Sequence, residues 1–200
     1  MNKGIGKRTL VLLTVLILGI ISLFFDKEIS QFFYSLHNPF LDFLLGMAVY
    51  IQLPGIFVGA IILICAVIFF LKKDKTRWVI RIVSSFIVTS AIAFLLKEII
   101  SRPRPYELLA LEKPLLDVLG SSFPSAHAAV SFAMLPFFER EYPKLKYLWL
   151  IFALLICFIR IYFPVHYLSD ILFGAVLGYV VGYIFCNLKL IKKNKEKLKK

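Results

Sequence analysis

The chain of 200 residues has few acidic residues, few cysteines and no long polar linker. Twelve Asp and Glu stand against 24 Lys and Arg, and the acids show no clustered ligand spacing, so we predict no metal site. The three cysteines, Cys65, Cys157 and Cys186, lie in apolar runs without paired or metal-like spacing, which excludes a disulfide framework. The absence of linkers and internal repeats predicts one domain over residues 1–188 and a basic tail over 189–200.

The residues that are abundant are apolar. Hydrophobic residues make up 60% of the chain, aromatic residues 16%, and the mean hydropathy is +0.84, whereas a soluble domain averages about 45–50% apolar residues. The chain contains six uncharged runs that could span a membrane, which takes roughly 17–25 residues. The fourth and fifth runs are short and reach this length only if His127 and Arg160 lie within the span or beside it. The runs therefore predict an all-α membrane protein, a six-transmembrane helical bundle. They are Thr9–Phe25, Pro54–Leu71, Trp78–Leu96, Ala126–Phe138, Tyr147–Ile159 and Leu168–Leu188.

A short helix is predicted between the first two spans. Asn38 is a good N-cap residue and Pro39 suits the first helical position, and the helix ends before Pro54. We interpret this segment as an interfacial helix packed on the bundle, without chemistry of its own. The first run follows a basic segment, as in a signal peptide, but Phe24–Lys27 offers no small-residue cleavage site, so the run is interpreted as a membrane helix.

The basic residues predict the orientation of the chain. With the amino terminus in the cytoplasm, eighteen of the 24 Lys and Arg residues fall on inside segments, as the positive-inside rule requires, and both termini are cytoplasmic. The lysine-rich tail is expected to contact anionic lipid headgroups, at about 1 kcal/mol per residue, and no nucleic-acid partner is expected. Six basic residues remain for the outer face: Lys27, Lys97, Arg102, Arg104, Lys113 and Arg160.

Several polar residues are predicted to meet at the outer membrane boundary. Lys97, Arg102 and Arg104 follow the third span, Ser125 and His127 begin the fourth, Arg160 ends the fifth, and His166 and Asp170 precede the sixth. A charged residue inside a membrane span costs about 2.5–3.5 kcal/mol and therefore indicates a functional site by default. Each residue alone has an ordinary structural explanation, but their common face favours a site.

Phosphoryl transfer is the chemistry that needs such a set. The transferring phosphoryl group carries spread negative charge, which fixed cations such as Lys97, Arg104 and Arg160 stabilise. The start of the fourth span adds the Ser125 hydroxyl and the backbone N–H groups of Ser125 and Ala126, at the positive end of a helix dipole.

The two histidines divide the remaining work in this hypothesis. His166 and Asp170 are four residues apart, so on a helix Asp170 can accept the Nδ1 proton of His166 and leave Nε2 free as a nucleophile. His127 is then the acid that protonates the leaving oxygen and the base that activates water. The scheme requires no metal and no cofactor.

These residues resemble the three signature motifs of the type 2 phosphatidic acid phosphatase (PAP2) superfamily. The motifs are Lys97-x6-Arg104-Pro105, Pro124-Ser125-Ala126-His127 and Arg160-x5-His166-x3-Asp170, within about residues 80 to 180. The resemblance implies that His166, His127 and Asp170 are catalytic and that Lys97, Arg104, Ser125, Ala126 and Arg160 bind phosphate. The chain departs from the pattern at Ala126, where glycine is usual, and at Ile159, where serine is usual. The spacing from Lys97 excludes the second Arg-Pro pair, Arg102-Pro103, from the motif.

The expected substrate is a membrane lipid phosphate in the bilayer of the cell membrane. The resemblance implies a polyprenyl diphosphate, phosphatidylglycerophosphate or phosphatidate, and we favour the polyprenyl diphosphate. Two alternatives stay open at this point: a lipid phosphotransferase that uses the same phosphohistidine, and a non-catalytic membrane protein that only binds an anion.

Overall fold

The computed structural model describes residues 2–51, 63, 75–112 and 120–188, and these form helices and turns with no strand among them. Each apolar run that lies in the described residues is helical over most of its length, which confirms the all-α class. The second run, Pro54–Leu71, lies outside the described residues apart from Leu63. The helices are α1 (Asn2–Ser22), α2 (Asp26–Ser35), α3 (Pro39–Ile51), α4 (Lys75–Ile100), α5 (Pro105–Leu108), α6 (Ala126–Glu141), α7 (Leu145–Tyr162) and α8 (Leu168–Asn187).

Three of the described segments are long and apolar enough to cross a membrane: Thr76–Leu108, Leu145–Tyr162 and Leu168–Asn187. The number rises to four if α1 and α2 together form one span, broken by a bend of 86°. The helix α6, with 16 residues, is shorter than these segments. The described helices are thus those of an integral membrane protein, and they account for part of the six predicted crossings.

The bend after α1 corrects one boundary of the sequence analysis. The first run was expected to continue to Phe25, but α1 ends at Ser22 and a new helix begins at Asp26. Asp26 and Glu28 lie in the first turn of α2, where acidic side chains favour a helix start because they face its positive dipole end. The sequence analysis did not foresee α2.

The short helix α3 begins where the sequence predicts. Asn38 Oδ1 accepts a hydrogen bond from Leu41 N at 3.0 Å, which is the expected N-cap contact, and Pro39 is the first helical residue. Leu45 and Val49 of α3 pack into an apolar cluster with Ile159 and Phe163 at the end of α7. The prediction that α3 lies at the membrane interface remains a prediction.

Glycines on α8 bring it close to α6. A Cβ atom at Gly174 would lie 2.6 Å from Ser125 O, and Cβ atoms at Gly178 and Gly182 would overlap the backbone of Ala129 and Ala133. Membrane helices associate closely through such small residues spaced four apart. This contact fixes the starts of α6 and α8 side by side, where Ser125 N donates to Asp170 O at 3.0 Å.

Candidate active site

The residues that the sequence analysis singled out gather at one end of the helices. Lys97 lies in the last turn of α4 and Arg160 in the last turn of α7. His127 lies in the first turn of α6, Asp170 in the first turn of α8, and His166 in the turn that precedes α8. We call Lys97, Arg104 and Arg160 the cation cluster. Two helices thus end, and two begin, at the same place.

Two members of the cation cluster also hold the surrounding turns together. Arg104 is only 1% exposed and donates to the carbonyl oxygens of Gly120 at 3.0 Å, Val165 at 2.8 Å and Ser121 at 3.4 Å. The Lys97 ammonium donates to the carbonyl oxygens of Ser121 and Ser122. Because peptide oxygens accept hydrogen bonds but carry no formal charge, these contacts do not neutralise the two positive charges, as suits an anion site.

The start of α6 provides hydrogen-bond donors. Ser125 is fully buried and caps the helix, with its Oγ 3.5 Å from Ala128 N, and its own N–H donates to Asp170 O at 3.0 Å. Ala126 is the first helical residue, so its N–H belongs to those that have no acceptor within the helix. A hydroxyl that accepts one bond keeps its proton for another, so Ser125 Oγ can still donate.

Arg160 contacts one of the two predicted catalytic histidines. Its Nη2 lies 2.9 Å from His127 Nε2, and since a guanidinium only donates, Nε2 accepts and the proton of the neutral ring is on Nδ1. Arg160 Nε is buried and has no hydrogen-bond partner in the described part of the chain. An unpaired buried donor is costly unless a ligand accepts from it.

The environment of His166 disfavours the protonated form of its ring. The side chain is 3% exposed, and burial is the largest cause that lowers its pKa well below the ordinary 6.5; the cation cluster lowers the pKa further and the Ser122 carbonyl opposes this. Its Nδ1 has no hydrogen-bond partner within the described residues. A neutral imidazole at neutral pH retains a lone pair for attack on phosphorus.

The expected hydrogen bond between Asp170 and His166 is not formed in the structure, because the two atoms are too far apart. His166 Nδ1 lies 3.6 Å from Asp170 Oδ2, a distance at which the charge of the carboxylate still acts on the ring. Asp170 Oδ2 instead accepts from Tyr167 N at 2.9 Å. The side chains are adjacent, as their spacing predicts, and the catalytic and phosphate-binding roles remain predictions.

Three residues at the site were missed or set aside by the sequence analysis. Arg102 was excluded from the motif, yet it bonds Asp170 Oδ1 at 2.7 Å. Asp26 lies on the unforeseen helix α2 and bonds Arg102 at 2.8 Å, and Ser169 bonds both. One signal was present: Arg102 is a charged residue beside an apolar span, which suggests a function in its own right.

The two departures from the family pattern have structural explanations. Ile159 is 2% exposed and belongs to the apolar cluster that joins α7 to α3, so its side chain fills the helix contact. Ala126 has an ordinary helical backbone, and positive φ values among described non-glycine residues occur only at Ser101 and Ala110. Alanine is therefore compatible with this position, where the conformational freedom of glycine is not needed.

The fold and the site together define a class of protein: a helical membrane protein with a buried histidine facing fixed cations at one end of its helices. No group of three or more His, Cys, Asp or Glu side chains within the described ranges is placed to hold a metal ion. The family model of the PAP2 superfamily matches residues 78–193, more than half of the chain, including all three motifs. The chain belongs to the PAP2 superfamily of integral membrane phosphatases.

Relatives and solved structures agree with this assignment. The chain is 30% identical to an undecaprenyl-diphosphatase of Bacillus subtilis over 76% of each protein, and 25% identical to a lipid A 4'-phosphatase of Bacteroides thetaiotaomicron over 80% of this chain and 75% of that protein. Its fold is similar to the crystal structure of a PAP2-type phosphatidylglycerolphosphate phosphatase from Bacillus subtilis, with a TM-score of 0.69, 23% identity, and 87% and 93% of the two chains covered. It is similar also to Aquifex aeolicus LpxE, with a TM-score of 0.67, 24% identity, and coverage of 80% and 94%.

Proposed function

We propose that the chain hydrolyses the terminal phosphate of a membrane lipid without a metal ion, through a phosphohistidine on His166, and that its substrate is a polyprenyl diphosphate. The observation that carries the proposal is the buried, neutral His166 next to the cation cluster. A nucleophile for phosphorus must be unprotonated, and the phosphate oxygens must be neutralised by fixed charges. The burial of His166 beside these cations supports both requirements.

The first step forms a bond from His166 Nε2 to phosphorus and breaks the bond from phosphorus to the leaving oxygen. The electron pair of the broken bond goes to that oxygen, and His127, which enters this step as an imidazolium, gives it a proton and becomes neutral. Arg160 has five donors, so it can bind a phosphate oxygen and also donate to His127 Nε2 when that ring is neutral, as in the structure. Asp170, at 3.6 Å, faces the positive charge that develops on the His166 ring.

The second step returns the enzyme to its starting state. Water attacks phosphorus while His127, now neutral, accepts one of its protons, and the bond from phosphorus to His166 breaks. The electron pair of that bond returns to Nε2, and inorganic phosphate leaves. The same cation cluster stabilises both transition states because the phosphoryl oxygens occupy the same place in each.

The proposed orientation has both termini in the cytoplasm, six crossings and the site at the outer face. Its support is the separation of charge along the helices. At the ends remote from the site, Arg8 lies 3.5 Å from Glu139, Arg140 donates to Cys186 O at 2.8 Å, and Arg81 donates to Leu188 O at 2.6 Å. These three basic residues thus collect at the opposite end from the site, as at a cytoplasmic boundary.

An apolar groove next to the site supports a substrate with a hydrocarbon tail. The groove has a volume of about 650 Å³ and runs between α1, α6, α7 and α8. Near the site it is lined by Ile161, which follows Arg160, and by Leu168 and Ile171, which flank Asp170. Its walls continue along Leu154 and Cys157. A lipid tail in this groove would leave its phosphate at the membrane boundary, where the cation cluster lies.

Phosphate release by the purified protein in EDTA tests the proposal. We expect release from a polyprenyl diphosphate to exceed release from phosphatidylglycerophosphate and phosphatidate, and EDTA to leave the rate unchanged. Release that requires added Mg²⁺ would contradict the metal-free mechanism, and transfer to an alcohol without free phosphate would favour the phosphotransferase. The same assay on sealed right-side-out vesicles, with a short-chain water-soluble substrate outside, tests the orientation.

Filling the groove should separate lipid from soluble substrates. In Leu154→Trp we expect kcat/KM for the lipid substrate to fall about 10-fold, because a bulky ring occupies tail volume, while that for p-nitrophenyl phosphate changes less than 2-fold. Leu148→Trp, on the exposed surface of α7 outside the groove lining, is the matched control and should leave both unchanged. Equal losses on both substrates in Leu154→Trp would show that the groove does not hold the tail.

A further inference from the structure

We propose that Asp26, at the start of α2, is a positioning residue that sets, through Arg102, the charge that Asp170 presents to His166. The inference rests on the proposed function and adds to it a residue from outside the three motifs. Asp26 is 76 residues from Arg102 and 143 residues from Ser169 along the chain, yet it contacts both side chains.

Arg102 bridges two buried carboxylates. Its Nη2 donates to Asp26 Oδ2 at 2.8 Å, and its Nη1 donates to Asp170 Oδ1 at 2.7 Å and to Ser169 Oγ at 2.7 Å. The Asp26 side chain is 3% exposed and that of Asp170 is fully buried. The guanidinium also lies over the Tyr167 ring, 3.9 Å from its centroid, which fixes its plane. One positive charge is therefore held rigidly between two negative charges.

Asp26 also holds the start of the helix that carries Asp170. Asp26 Oδ1 accepts from Ser169 N at 3.1 Å, and Ser169 Oγ also contacts the carboxylate. The N–H of Ser169 belongs to the first turn of α8, where helices lack internal acceptors, so Asp26 acts as a cap supplied by another helix. Together with Arg102, three donors converge on this carboxylate.

The sharing of Arg102 determines how much negative charge Asp170 retains. With Asp26 present, the two carboxylates and one guanidinium carry a net charge of −1, and Asp170 Oδ2 is the oxygen that faces His166 Nδ1 at 3.6 Å. Without the Asp26 charge, Arg102 neutralises Asp170 alone. The His166 ring becomes positive when Nε2 bonds to phosphorus, so a weaker field from Asp170 raises the barrier of that step.

Other groups face His166 from the elements packed around it. They are Lys97 from α4, Arg104 from the connection to α5, and Arg160 from α7, with the Ser122 carbonyl from the turn before α6. Apart from Asp170 all the charges in this set are positive. The hydrogen bonds of Arg102 connect the Asp26 charge to Asp170 and so to His166.

The test is Asp26→Asn, which keeps the shape of the side chain and removes its charge. We expect kcat to fall about 10-fold to 100-fold, as for residues that hold the ligands of a site, with KM within about 2-fold of wild type. We also expect the acid limb of kcat/KM to move to lower pH, because loss of a negative charge makes the His166 ring lose its proton more readily. Glu28→Gln, an exposed acid on the same helix, is the matched control and should change neither quantity.

A second background tests the route through Arg102. In Arg102→Gln, the further change Asp26→Asn should cost less than about 2-fold, because the two residues act as one unit. If Asp26→Asn lowers kcat by the same factor in the Arg102→Gln background as in the wild type, the inference is overturned. It is also overturned if the acid limb of the kcat/KM profile does not move in Asp26→Asn. If Arg102→Gln does not fold, the shift of the acid limb of kcat/KM in the Asp26→Asn variant alone tests the inference.

The outcome for the wild-type protein separates this inference from the proposed function. Wild-type protein that releases no phosphate would overturn the proposed function and this inference with it. Active wild type together with an Asp26→Asn variant of equal kcat would overturn this inference alone. An Asp26→Asn variant whose loss is matched by its smaller folded fraction would also overturn it, since a purely structural role lowers the amount of active protein and leaves the pH profile unchanged.

Discussion

Replacing His166 by alanine is expected to lower phosphate release on the order of 10³-fold or more, because the reaction then loses the atom that bonds to phosphorus. The protein should remain folded, since His166 Nδ1 has no hydrogen-bond partner among the described residues and the neutral ring lies beside three cations. The measurements are the initial rate of phosphate release in EDTA and the melting temperature of the detergent-solubilised protein.

The control for this variant is the third histidine. His37→Gln changes a histidine that contacts Tyr162 O at 2.8 Å and lies outside the motifs, and most of the activity should remain. A folded His166→Ala protein that releases phosphate at more than about a tenth of the wild-type rate would contradict the assignment of the nucleophile. The anion-binding alternative is distinguished by the wild-type protein itself, because a protein that only binds an anion releases no phosphate.

Replacing His127 by asparagine is expected to separate the two chemical steps. Steady-state hydrolysis should fall about 10²-fold to 10⁴-fold, the usual contribution of general acid–base catalysis. With p-nitrophenyl phosphate, however, the leaving group needs no proton, so one equivalent of nitrophenol per enzyme should still appear in a burst. The phosphohistidine then accumulates because His127 is not there to activate water. The measurements are the burst amplitude and acid-labile phosphate on the protein.

The double variant His127→Asn, His166→Ala is the control for the burst and should show none. If His127→Asn loses the burst together with the steady-state rate, His127 acts in the first step even where the leaving group needs no proton. Its contact with Arg160 at 2.9 Å would be the route. A burst that persists in the double variant would place the covalent bond on a residue other than His166.

The composition and local pattern of the sequence were sufficient for the class of protein and for most of the site. Apolar runs that need internal hydrogen bonds in lipid must be helical, so the described runs appear as helices within a few residues of their predicted ends. Asn38 and Pro39 start α3 for reasons that involve only their nearest neighbours. Charged residues at the ends of apolar spans are costly without a function, so they indicated a functional site. The fixed cations among them indicated phosphoryl transfer, because they can stabilise the negative charge of the phosphoryl group.

The local sequence pattern did not predict the bend after α1, because the bend lies inside an apolar stretch. The missed helix α2 has buried polar residues, Asp26 and Ser30, whose environment is created by other helices. The distance between His166 and Asp170 is another such case: their spacing of four predicted a hydrogen bond, but the structure separates the atoms by 3.6 Å. His166 precedes α8, and Asp170 instead bonds Tyr167 N and Arg102.

The sequence is therefore sufficient for the membrane class, the helices and the identity of the polar residues at their ends. Which of those residues pair depends on the packed helices: Arg102 pairs with Asp26 and Asp170, and Arg160 with His127. Helix formation depends on hydrogen bonds between residues four apart, which a sequence window contains. Pairing across 76 residues, as between Asp26 of α2 and Arg102 after α4, depends on how the helices pack. The close approach of Gly178 and Gly182 on α8 to the backbone of α6 is one such packing contact.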